Sequence, residues 1–76
     1  MTTIEFHAIE FESAALALQH TEAAGTGRAI ICDGKHLVVE EPELERIEAA
    51  GVEFALLVDH EMPDGSWRIM TIPVND

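Results

Sequence analysis

The side chains in this sequence that could carry chemistry are four histidines, one cysteine and a large surplus of carboxylates. His7, His20, His36 and His60 stand at no zinc-ligand spacing such as H-E-x-x-H, and Cys32 alone cannot build a cysteine-rich metal site within one chain. Asp59-His60-Glu61 sets three ligand types in a row. On a strand, however, neighbouring side chains point to opposite faces, so only Asp59 and Glu61 would share a side. Cys32 with His36 as its base fails on the same ground, because a hairpin turns the two to opposite faces. A reactive thiolate also wants an electropositive setting, which an acidic chain does not supply. There is no G-x-S-x-G, no P-loop and no G-x-G-x-x-G; Gly25-Thr26-Gly27 is too short and follows a helix rather than a strand. Trp67 and Met70 fall on an outer strand, where a tryptophan either closes the core or anchors a partner. No catalytic, cofactor-binding or metal-ligating residue is therefore assigned, and the expectation is a protein without a cofactor that is not an enzyme.

The charge balance is the next feature. Fifteen Asp and Glu face four Lys and Arg, for a net charge of −11. Such a chain repels phosphate backbones and anionic membranes, because affinity for nucleic acid comes from cations that neutralise phosphates. A basic protein partner, a cation or imitation of nucleic acid would use the surplus; solubility or adaptation to salt is the plainer explanation. The acids crowd the second helix, where Glu41, Glu43, Glu45 and Glu48 form a candidate acidic partner face. A helix dipole favours carboxylates in the first turn, so the run also has a purely local reason.

The elements that must position these groups read clearly. Residues 3–11 alternate as a strand, but the parity slips between Phe6 and Ile9, so a bulge or a strand end is expected near His7-Ala8. Residues 13–24 are strong helix formers with Ser13 as N-cap and Gly25 as the left-handed stop. Residues 28–32 and 35–40 flank Asp33-Gly34, a strong hairpin signal, in a register that pairs Cys32 with Lys35 and Ile30 with Leu37. Residues 42–50 form the second helix, opened by Pro42 with Leu44 and Ile47 facing inward, and stopped by Gly51. Residues 52–59 and 66–72 are strands joined through Pro63 and Asp64-Gly65, and Pro73 suits an edge. Val74-Asn75-Asp76 is expected to fray.

The stretch 22–33 recurs 26 positions later as 48–59, each copy a helix end, a glycine, an apolar strand and an aspartate. The element order is β-α-β-β-α-β-β, whose first six members follow the ferredoxin-like split βαβ order. The expected fold is α+β: a two-layer sandwich with both helices on one face of a mainly antiparallel sheet, a fifth C-terminal strand and an internal pseudo-repeat. The 76 residues form a single domain, 1–76, with a small core. In that arrangement Ala29, Ile31, Val38, Ala55 and Leu57 line a helix-free face, an apolar patch that invites association. A homodimer, or a larger partner, is expected to cover it. The N-terminal residues lack the positive region of a secretory signal, so a cytoplasmic location is expected. The functional expectation is a small acidic module acting through protein association, with regulation as one use. The alternatives are a small enzyme or ligand-binding domain with a pocket between helices and sheet, served by His36 or His60, and an acidic mimic of nucleic acid.

Overall fold

A computed structural model describes residues 6–74. Its elements are β1 (Ile9–Phe11), α1 (Ala14–Ala24), β2 (Arg28–Cys32), β3 (Lys35–Val39), α2 (Glu41–Ala49), β4 (Phe54–Glu61) and β5 (Trp67–Val74). The two helices accompany one antiparallel sheet in the order β1-β3-β2-β4-β5.

Local chemistry accounts for the elements. The Ser13 hydroxyl caps α1 by accepting the Leu16 amide at 3.3 Å. The Gly25 amide closes it on the Thr21 carbonyl at 2.9 Å. Pro42 occupies the opening of α2, where its missing N–H costs nothing. Asp33 and Gly34 both take positive φ, 53° and 76°, which a two-residue type I′ turn requires. That turn sets Cys32 opposite Lys35, Ile30 opposite Leu37 and Arg28 opposite Val39, as expected. The parity slip near His7 is also real. Phe6 packs with the cluster around Ile47, whereas Phe11 packs with the cluster around Ala17. The chain changes sides of the sheet between them, and β1 begins only at Ile9. Ile4 and Asn75-Asp76 lie outside the described residues.

The helices do not share a face, which corrects the two-layer expectation. Ile47 and Leu44 of α2 pack on Ile30, Leu37, Val39, Phe54 and Leu56. Ala14, Ala17 and Leu18 of α1 pack on Ala29, Ile31, Val38 and Leu57. Successive strand residues therefore serve opposite cores. The cause is the docking of β4. A ferredoxin-like sheet would return β4 to the side of β1, but here β4 pairs with β2 through Ile30 opposite Leu56 and Ile31 opposite Ala55. Both crossovers then step the same way along the sheet, starting from antiparallel strands. A fixed right hand places the two helices on opposite faces. The result is three layers, α1, sheet and α2.

The two similar stretches agree in local geometry but not in the placement of their helices. Gly25 and Gly51 both take left-handed φ, 73° and 79°, and the strands that follow begin 26 positions apart. Ile30 and Leu56, equivalent in the repeat, sit side by side on the α2 face. In the first copy the preceding helix covers the other side of its strand; in the second it covers this side.

Ile30, Ile47 and Val39 are fully buried, each contributing about 1.5–3 kcal/mol over exposure.

Candidate functional site

The outermost strand, β5, is where the molecule departs from a closed fold. All eight of its residues pair with β4, from Phe54 opposite Val74 to Glu61 opposite Trp67, and among the described residues no strand pairs with its outer side. Seven of the eight, Trp67 to Pro73, are exposed, and only Val74 reaches a core. Trp67 is 63% exposed, Ile72 48%, Met70 47% and Ile69 40%, which makes this strand the main concentration of exposed large hydrophobic side chains. β5 also contains no acidic residue and one cation, Arg68, in a chain of net charge −11.

The turn that launches β5 fixes which backbone groups face outward. The Met62 amide donates to the Ser66 carbonyl at 2.7 Å, so these two form a hydrogen-bonded pair. Bonded and non-bonded pairs alternate along an antiparallel ladder. Arg68, Met70, Ile72 and Val74 then spend their backbone groups on β4. Trp67, Ile69, Thr71 and Pro73 turn theirs to the open edge. Pro73, opposite Ala55, falls on a non-bonded pair, where its missing N–H interrupts nothing. The turn itself is held by Asp64, whose carboxylate accepts the Ser66 hydroxyl at 2.6 Å and the Ser66 amide at 2.9 Å. These bonds, the hydroxyl's first, keep the Asp64 carboxyl below the usual aspartate range.

The association face expected from the sequence is occupied from within. Ala29, Val38 and Leu57 are 3%, 5% and 5% exposed, buried under α1, whose Ala17 is fully buried. Ile31 and Ala55 are half-buried and pair with each other. The patch existed only on the premise that both helices lay on the other side.

The acidic face is partly committed inside the molecule. Glu41 accepts the Arg28 guanidinium at 2.9 Å. Glu43 accepts the His7 amide at 3.1 Å and Arg46 Nη1 at 3.1 Å, clamping the segment before β1 to the first turn of α2. The His7 amide is the main reason the Glu43 carboxyl lies below its ordinary range; partial desolvation opposes it and Arg46 assists. Glu45 and Glu48 are exposed on the same helix.

The titratable side chains do not converge. Among the described residues no group of three His, Cys, Asp or Glu could hold a metal ion. Along β4, Asp59 lies opposite Ile69, His60 opposite Arg68 and Glu61 opposite Trp67, alternating across the sheet. Cys32 lies on the α2 side, its thiol 3.7 Å from the Glu53 carbonyl, whereas His36 sits opposite Ile31 on the α1 side. Burial raises the Cys32 thiol above its ordinary range, Asp33 adds to this and Lys35 opposes it, which is the reverse of an activated nucleophile. His20 stacks obliquely on Phe11, 5.2 Å between ring centres. An open cleft of about 590 Å³ lies between the end of α1 and the start of α2, lined by Thr26, Gly27, Arg28, Glu40, Glu41 and Pro42 among others. Its Arg28 guanidinium is paired with the Glu41 carboxylate there, and the remaining charged groups of the lining, Glu22 and Glu40, are both acidic.

No protein-family model matches the chain, and no curated protein and no solved structure matches it either. Among the described residues no helix is long and apolar enough to cross a membrane.

Proposed function

We propose that this chain is an association module of the cytoplasm whose working surface is the open edge of β5. The supporting observation is an eight-residue edge strand, exposed along its length and apolar on both sides. An incoming strand would find outward N–H and C=O groups at Trp67, Ile69 and Thr71, and alternate side chains to grip above and below the sheet. Edge strands left in this state are liabilities unless something pairs with them, and natural folds usually blunt them with charge, brevity or a cover. β5 has one charge and a proline at its far end. On this reading the acidic surplus has a supporting role: carboxylates over the rest of the surface discourage other contacts and leave β5 the place where another chain can settle.

The test is a proline at Thr71, whose N–H faces outward, so the ladder to β4 survives while the edge loses a central donor. Light scattering compares wild type with Thr71→Pro, alone and with a synthetic peptide copying residues 66–74. Wild type is expected to associate, with itself or with the peptide. The variant, with unchanged circular dichroism, is expected to do neither. Association of the folded variant at wild-type strength would overturn the reading.

A further inference from the structure

We infer that the chain on the β5 edge is a second copy of the same molecule, paired antiparallel about a two-fold axis at Met70. This rests on the edge-strand reading above and names its occupant. Three observations lead to it.

The first is the pattern of outward groups. A symmetric antiparallel pair must bond through residues that still have backbone groups to give, here Trp67, Ile69, Thr71 and Pro73. With Met70 on the axis, Ile69 of each copy meets Thr71 of the other and the two exchange both bonds. Trp67 meets Pro73, where the Trp67 amide donates to the Pro73 carbonyl and the Trp67 carbonyl stays with solvent. The one residue unable to donate thus falls in the last pair of the ladder, where a single bond is lost, and the strand is used from Trp67 to Pro73.

The second is side-chain fit. Paired residues share a face of the sheet. On the α1 side Trp67 would lie against Pro73 of the second copy, and Ile69 against Thr71. On the α2 side the two Met70 side chains would meet, flanked by Ile72 beside Arg68. Each exposed apolar side chain of β5 would gain a neighbour, and Arg68 of one copy is kept from Arg68 of the other.

The third is charge. A basic partner would be drawn to the carboxylates on α2 rather than to β5, which carries a cation of its own. A second copy meets β5 at the stretch free of acids. Two molecules of net charge −11 still repel at a distance, so salt should strengthen their union. A complex held by opposite charges would weaken instead.

The experiment is disulfide trapping. Met70→Cys is prepared with Cys32→Ser and oxidised mildly, beside Arg68→Cys and Ile72→Cys made the same way. A non-hydrogen-bonded antiparallel pair brings Cα atoms to about 4.5 Å, inside the roughly 4.4–6.8 Å that a disulfide spans. The expected result is a covalent dimer from Met70→Cys, none from either flanking variant alone, and a mixed dimer when those two are combined. Adding Thr71→Pro should abolish trapping, and raising salt from about 50 mM to about 0.5 M should increase its yield severalfold. Trapping of Arg68→Cys or Ile72→Cys with itself in place of Met70→Cys would overturn the register. A wild type that stays monomeric while still binding the 66–74 peptide would overturn the second copy and leave the edge reading standing. Trapping indifferent to Thr71→Pro would overturn both.

Discussion

At one border of the sheet β1 offers three residues to any neighbour; at the other β5 offers eight. β1 carries Glu10, and its Phe11 is turned into the α1 core and onto the His20 ring. The segment just before it is tied to α2 through the His7 amide and Glu43. β5 has no carboxylate, keeps Trp67, Ile69, Met70 and Ile72 exposed, and is held by its ladder to β4, the turn at Asp64 and the packing of Val74 at its far end. Both borders contain aromatic and aliphatic residues, and they spend them differently. The first turns Phe11 inward for stability and leaves Ile9 as its one exposed large apolar side chain. The second holds most of it back from the core, as the proposed association surface requires.

The largest effect expected from this contrast separates two adjacent residues of β5. Met70→Pro removes a donor that β4 uses and should cost about 1–3 kcal/mol of stability. Thr71→Pro removes only an outward donor and should stay within about 1 kcal/mol of wild type while eliminating association. Urea unfolding of both variants measures the difference, and equal costs would erase the distinction between inward and outward groups.

Next in size is the opposite border. Phe11→Ala should cost roughly 2 kcal/mol, about half the value for a fully buried phenylalanine, with no change in association once folding is allowed for. Ile69→Ala should show the reverse, within about 0.5 kcal/mol in stability but with dimerisation about tenfold weaker. If Ile69→Ala destabilised the monomer as Phe11→Ala does, the two borders would not differ in kind.

The smallest effect is in acid. The folded Asp64 carboxyl titrates below its unfolded value, so its contribution is present above the ordinary aspartate range near pH 4 and is lost as pH falls through the lower folded value. Exchange of the Ser66 amide should therefore quicken in acid, beyond the intrinsic pH dependence. In Asp64→Asn the extra acid dependence should vanish.

Much of this was visible in the residues. Asp33-Gly34 dictated the β2–β3 register, Ser13 and Gly25 bounded α1, and the parity change between Phe6 and Ile9 announced a chain that crosses the sheet. The side on which each helix lies was less so, because it depends on whether β4 joins β2 or β1, and capping and turn residues do not encode that choice. A signal was nonetheless present. Ala29-Ile30-Ile31, Leu37-Val38-Val39 and Phe54 to Val58 are unbroken apolar runs, and strands that read so are covered on both faces. By that signal Ala29, Ile31, Val38, Ala55 and Leu57 belong to covered faces, as their burial under α1 or against neighbouring strands shows. Trp67 and Met70 stood out by type and outer position, but only the alternation of bonded pairs, anchored by Met62 and Ser66, shows which backbone groups remain to be used.

Residue-resolved amide exchange, followed as protein concentration rises, reads the central claim most directly. The amides of Arg68, Met70 and Ile72 should be protected throughout, and those of Trp67, Ile69 and Thr71 should pass from rapid to slow exchange as copies pair. Outward amides that exchange rapidly at every concentration, including those where a dimer has formed, would contradict it.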